Sequence, residues 1–202
     1  MHSCSDNNKL REFDMVKLKI SAICTSSLLA VTLLNPAFAQ PVQNSTPSLY
    51  LQYGSAEHQT DTWTLGATLP WNNWSYSLGS GQVTGYWDVW GSRWSGDYQG
   101  SSRSTWVIGA KPTLRWRPAQ GLSPWFVDSG IGVSYATNRR YLTDHTDFST
   151  RFNFASHIGV GYLFGEQLKN EISLRLEHHS NAGIKQPNPG ENFLQLRYAR
   201  HF

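Results

Sequence analysis

From about residue 48 to the C-terminus of this 202-residue chain, apolar and polar positions alternate. The alternating segments are separated by clusters of Gly, Ser, Asn, Asp and Pro, the pattern of strands joined by turns. Trp63, Leu65, Ala67 and Leu69 share one face of one segment, and Ile172, Leu174 and Leu176 share one face of another, with mostly polar neighbours between them. In the last segment Leu194, Leu196, Tyr198 and the terminal Phe202 lie opposite Gln195, Arg197 and His201. Eight strands are predicted, at 48–55, 61–69, 74–90, 104–117, 124–137, 149–164, 170–179 and 193–202. An even number closes into a barrel with no free edge, which a bilayer demands because unpaired backbone groups find no water there. The pattern therefore predicts an all-β fold, an eight-stranded antiparallel transmembrane β-barrel. A soluble lipocalin-like barrel, with the apolar face turned inward, is the alternative.

The N-terminal region breaks this pattern. Lys17 and Lys19 precede an apolar run from Ile20 to Leu34 and then Ala37-Phe38-Ala39, the order of a cleaved secretory signal. Residues 15–39 are read as a signal peptide, Gln40 as the mature start and 40–202 as the barrel. The apolar run is short for a membrane anchor. Residues 1–14 are polar and precede a second Met, so they read as a misassigned start or a disordered extension. Cys4 and Cys24 fall in the part removed, which leaves no disulfide framework. From Gln40 onward 13 Lys and Arg face 11 Asp and Glu, with no basic stripe, so a nucleic-acid partner is not expected. All nine Trp lie in the mature part, where strand ends would place them at lipid–water boundaries. An alternating strand ending on an aromatic residue resembles the C-terminal signal of bacterial outer-membrane barrels.

Candidate chemistry concentrates after the seventh strand. A period of two puts His178 and Ser180 on one face, the face of Ile172, Leu174 and Leu176, where imidazole and hydroxyl can come within hydrogen-bond reach, as acyl transfer needs. Polar groups facing lipid cost free energy, so function explains them better than structure does. On these residues alone, a wet loop beginning before His178 accounts for the pair equally well. His179 alternates inward. His58, His145 and His157 show no ligand-like spacing, so no metal site is expected.

The stretch His178-His179-Ser180-Asn181-Ala182-Gly183-Ile184-Lys185-Gln186-Pro187-Asn188 resembles the active-site segment of the PagL family of outer-membrane lipid A 3-O-deacylases. Thr84-Gly85-Tyr86-Trp87-Asp88 on the third strand resembles that family as well. The resemblance implies an eight-stranded barrel of the outer membrane that hydrolyses the 3-position acyl ester of lipid A, in lipopolysaccharide, without a cofactor. It implies Ser180 as nucleophile, His178 as general base, and Asn181 (side-chain amide) with Gly183 (backbone N–H) as the oxyanion hole. For the third member, gapless comparison points to Asn192, which shares the outward face. Glu191 is preferred as the orienting carboxylate, because Asn188-Pro189-Gly190-Glu191 reads as a type II turn after which the strand could start irregularly. Asn192 stands as its alternative, and Glu177 comes third because it faces the other side. Arg139, Arg140, Lys185 and Arg200 are candidates for lipid phosphates, and a homodimer is compatible with the resemblance. The competing readings are a non-enzymatic structural or adhesive barrel and an acyl transferase whose site opens inside the barrel.

Overall fold

The computed structural model describes residues 46–57, 59–138, 141–142 and 147–202. The expected extension and signal peptide, and His58, Arg139, Arg140 and His145, lie outside the described residues.

Strands β1 (Ser48–Ala56), β2 (Asp61–Leu78), β3 (Gly81–Tyr98), β4 (Ser101–Arg117), β5 (Trp125–Ala136), β8 (Phe152–Phe164), β9 (Asn170–Ser180) and β10 (Glu191–His201) close one antiparallel barrel. The short strands β6 (Tyr141–Leu142) and β7 (Asp147–Phe148) pair with each other in the connection between β5 and β8. The barrel closes where β1 meets β10, Ser48 opposite His201 and Ala56 opposite Phe193, so both ends of the described chain lie at the same rim.

The barrel is turned inside out relative to a water-soluble protein. Leu65, Ile131, Leu176 and Leu194 on its outer wall are 59–66% exposed, while Lys111, Arg175 and Arg197 in the lumen are 1% exposed. This excludes the lipocalin-like reading. The outer wall is the lipid-facing band of a membrane barrel, and eight strands leave an interior just wide enough for side chains to fill. Ion pairs do the filling. Asp88 accepts from Arg175 and Arg197, both at 3.1 Å, and from the Tyr50 hydroxyl at 2.6 Å. Asp128 accepts from Arg175 at 2.9 Å and Arg115 at 3.0 Å, and Arg115 also bonds Glu171 at 2.7 Å. Buried charges persist only when paired and hydrogen-bonded in this way. Towards the rim that carries Ser180, an apolar cluster of Trp94, Val107, Ala136, Phe148 and Phe193 fills the lumen.

The predicted second and third strands, 61–69 and 74–90, are divided differently, and β3 runs on to Tyr98. Pro70-Trp71-Asn72-Asn73 reads in sequence as a break between the second and third strands, yet β2 continues to Leu78 and turns at Gly79, φ +59°. The break-like residues form a bulge in β2, where pairing with β3 jumps from Pro70–Tyr86 to Ser75–Thr84. Bulges absorb residues that cannot join a ladder, Pro among them.

Candidate functional site on the outer wall

The site is built by the end of β9, the start of β10 and the loop 181–190 between them. In β9 burial alternates without interruption from Glu171 to His179. Glu171, Ser173, Arg175, Glu177 and His179 point into the lumen, and Ile172, Leu174, Leu176 and His178 point out. His179 is held inside by Glu177, Nε2 to Oε1 at 2.8 Å, and lies 3.2 Å from Ser134 Oγ through Nδ1. Glu177 also takes Lys111 at 2.9 Å, so it belongs to the interior network.

His178 stands on the outer wall with Asn192 of β10 directly opposite. Their side chains bond, Nδ1 to Oδ1 at 2.7 Å. A carbonyl oxygen only accepts, so Nδ1 carries the proton and Nε2 is left with its lone pair as the acceptor. Gly190 closes the other side of the ring. It adopts φ +73°, the left-handed region that glycine favours, and a Cβ there would lie 2.8 Å from His178 Cε1. The imidazole is thus held by an amide at one nitrogen and by bare backbone at one edge.

Ser180 ends β9, half-buried, opposite Phe154. Among the described residues no hydrogen bond joins its Oγ to His178. Such bonds are often long before substrate arrives.

The expectation that Glu191 turns toward His178 is not met. β10 is regular from its first residue, with Glu191 opposite His179, so alternation sends Glu191 inward and Asn192 outward. Glu191 is fully buried and accepts from Thr60 Oγ1 at 3.4 Å.

Asn181 follows Ser180 directly and Gly183 lies two residues beyond Asn181, and both donors are engaged. Asn181 Nδ2 donates to the Lys185 carbonyl at 2.8 Å and to Ser149 Oγ at 3.3 Å, and Asn181 Oδ1 accepts the Gly183 N–H at 2.9 Å. The Asn181 N–H in turn donates to Asn188 Oδ1 at 2.9 Å. Asn181 is therefore the knot of the loop as well as the neighbour of Ser180.

A groove of about 1030 Å³ crosses the outer wall from this site. His178, Asn192 and Leu176 line its near end and Leu114 and Trp71 its far end, with Ser129 and Ser156 among the small residues between them. Two features of this region escape sequence reasoning. Glu57, in the turn after β1, shares the groove with His178 and Asn192; a period of two counted outward from Leu49 would have placed it there. Gly190 was legible as a turn residue, though not as the support of the imidazole.

A family model described as lipid A 3-O-deacylase (PagL) matches residues 61–201. The lipid A deacylase PagL of Bordetella bronchiseptica is 32% identical over 168 residues, 82% of this chain and 88% of that protein. The lipid A deacylase PagL of Pseudomonas aeruginosa is 29% identical over 137 residues, 68% of this chain and 76% of that protein. Among solved structures, the crystal structure of the outer membrane enzyme PagL aligns with a TM-score of 0.66 and 26% identity, covering 77% of this chain and 99% of that one.

Proposed function

The chain belongs to the lipid A 3-O-deacylase (PagL) family, and from that premise we propose that it is an outer-membrane hydrolase that cleaves the 3-position acyl ester of lipid A at Ser180 on the lipid-facing wall. The observation that carries this reading is the 2.7 Å bond between His178 Nδ1 and Asn192 Oδ1, two residues before the serine and on the outside of the barrel. It leaves Nε2 as a base for the Ser180 hydroxyl. Ser180 Oγ attacks the ester carbonyl, and His178 takes its proton and returns it to the departing sugar hydroxyl. Water then attacks the acyl-enzyme with the same base, and a free 3-hydroxy fatty acid leaves. Asn192 orients the imidazole as an amide, in the place where a carboxylate would otherwise stand. Glu191, turned inward, supports the start of β10.

The oxyanion donors are Asn181 and Gly183. To serve, the Gly183 N–H exchanges its bond to Asn181 Oδ1, and Asn181 Nδ2 one of its bonds to the Lys185 carbonyl and Ser149 Oγ, for the substrate oxygen. Donors so placed typically supply about 3–4 kcal/mol in the transition state.

Topology favours lipid A as the substrate. The longer connections, 137–151 and 181–190, lie at the rim of Ser180, and turns such as 79–80 and 165–169 lie at the other, the polarity of an outer-membrane barrel with its loops at the cell surface. Lipid A fills the outer leaflet, so it meets a lateral site without leaving the membrane. An acyl transferase working inside the barrel is disfavoured by the packed lumen, where the void beside Tyr50, Gln52 and Arg197 measures about 10 Å³, room for one water.

The test is mass spectrometry of lipid A after incubation with the refolded protein and with Ser180→Ala. Loss of one 3-hydroxyacyl chain with the unmodified protein alone is expected. Equal deacylation by the folded Ser180→Ala barrel would refute the assignment of the nucleophile, and unchanged lipid A from the unmodified barrel would point to a non-enzymatic protein.

A further inference from the structure

The motif Thr84-Gly85-Tyr86-Trp87-Asp88 stands on β3, far around the wall from His178, and the chemistry above gives it no role. Its inward half is structural. Tyr86 donates to Asp128 at 2.7 Å, and Asp88 holds Arg175 and Arg197. Its outward half, Gly85 and Trp87, is not needed for that network.

The strand register connects this outward half to the site. Going around the wall, Leu176 pairs with Ile158, Ile158 with Ser129, Ser129 with Leu114, and Leu114 with Gly85. At Gly85 the row ends against Trp71, which the β2 bulge throws onto β3. A Cβ on Gly85 would lie 2.0 Å from Trp71 Cε3, so the indole rests on the glycine where a side chain would have stood. Trp74 and Trp87 meet that ring edge-on, at 5.7 and 6.2 Å between centroids. Trp71 lines the same groove as His178. Its buried Nε1 has no acceptor among the described residues, a cost that fold stability alone would relieve with a ring lacking the donor.

We propose that Trp71, seated on Gly85, is the end wall of the acyl-chain groove and sets the longest chain that the enzyme accepts. This rests on the reading of Ser180 and His178 as the deacylating pair. Four inter-strand steps separate β9 from β3, so the path from the site to the wall is roughly 19 Å at about 4.8 Å per step. A chain that fits ends against the indole. A longer one must bend out of the groove and lose its contacts there.

The test compares wild type with Trp71→Ala, Trp71→Phe and Gly85→Ala on lipid A carrying a short, a medium or a long 3-hydroxyacyl chain in mixed detergent micelles. Folding is checked by the heat-induced shift in gel mobility of an intact barrel. The ratio of kcat/KM for long over short chains is expected to rise about tenfold or more in Trp71→Ala, because a few methylenes regain contact. Trp71→Phe should move it less in the same direction. Gly85→Ala should relax the ratio without touching the indole itself, because the new methyl displaces the ring. An unchanged ratio in folded Trp71→Ala and Gly85→Ala, or equal slowing of all three substrates, would overturn the end wall while leaving the deacylase reading intact. Should Trp71→Ala not fold, the same outcomes are read from the other two variants. Failure of the deacylase reading would instead show as unchanged lipid A of every chain length with the wild type, and failure of the nucleophile assignment as full activity in Ser180→Ala.

Discussion

Two adjacent residues compete for the third place in the site, and exchanging each of them distinguishes the inward from the outward face of β10. Asn192→Ala removes the acceptor 2.7 Å from His178 Nδ1. Between a neutral imidazole and an amide such a bond contributes about 1 kcal/mol, whereas once the imidazole has taken the proton in the transition state it contributes about 1.5–3 kcal/mol. Measured from free enzyme and substrate, which already make the resting bond, the loss is the difference, about 0.5–2 kcal/mol, and at 1.36 kcal/mol per decade it corresponds to roughly two- to thirtyfold in kcat/KM. Most of the loss should fall on kcat, since His178 acts on the proton in flight rather than on bound lipid. Glu191→Gln keeps the shape of the inward side chain beside Thr60 and should change kcat less than about twofold, within the small effect expected of a site away from the chemistry. The assay is the initial rate of fatty-acid release from lipid A in mixed micelles, with gel mobility reporting folded protein. A folded Asn192→Ala enzyme at full rate together with a Glu191→Gln enzyme slowed a hundredfold would refute the reasoning and return the role to Glu191.

Gly190→Ala should fold yet lose about a hundredfold or more in kcat, because its Cβ falls 2.8 Å from His178 Cε1 at φ +73° and an error of about 1 Å in a catalytic group costs that much. The same rate assay reads it, and a wild-type rate would mean that the ring is not held from that side. Asp88→Leu leaves Arg175 and Arg197 each short of a carboxylate in the lumen and should lower stability by about 3–5 kcal/mol, measured by urea titration of the barrel in liposomes; an unchanged midpoint would mean that the interior ion pairs contribute little. Leu196→Arg places a charge halfway down the lipid face of β10, where Leu196 is exposed, and should cost about 2–4 kcal/mol in liposomes; no difference there would argue that this wall does not meet lipid.

Much of the fold is legible because a strand in a bilayer keeps one rule along its length. Ile172, Leu174 and Leu176 declare the outer face of β9, and everything between them must point in, including Arg175 and Glu177, whose charges would be misfits in a soluble strand. Register and pairing partners are not legible in the same way. Nothing local to Asp88 announces Arg175 and Arg197, which arrive from strands 87 and 109 residues further along the chain. The β2 bulge was hidden because Pro70-Trp71-Asn72-Asn73 carries every local sign of a turn, and only the continued pairing of Ser75 with Thr84 shows that the strand resumes. The choice between Glu191 and Asn192 was open for a related reason. A turn ending in Gly190 permits either a regular or a slipped start to β10, and the pairing of Glu191 with His179 shows a regular start, with Glu191 turned inward and Asn192 outward. The bond from the Asn181 N–H to Asn188 Oδ1 depends on how the loop folds back on itself, and residue spacing could not suggest it.

On the proposed reading the reaction site at His178 and Asn192 opens sideways from the wall rather than upward from the rim, which changes what counts as concentration. A mouth facing lipid samples mole fraction in a two-dimensional leaflet, so adding inert detergent or phospholipid slows turnover by surface dilution even when the bulk amount of substrate is constant. Diffusion in the plane also returns the product to the leaflet beside the mouth. Freed fatty acid and trimmed lipid then compete with fresh substrate for the groove, and the pace of a patch of membrane depends on how quickly its lipids mix.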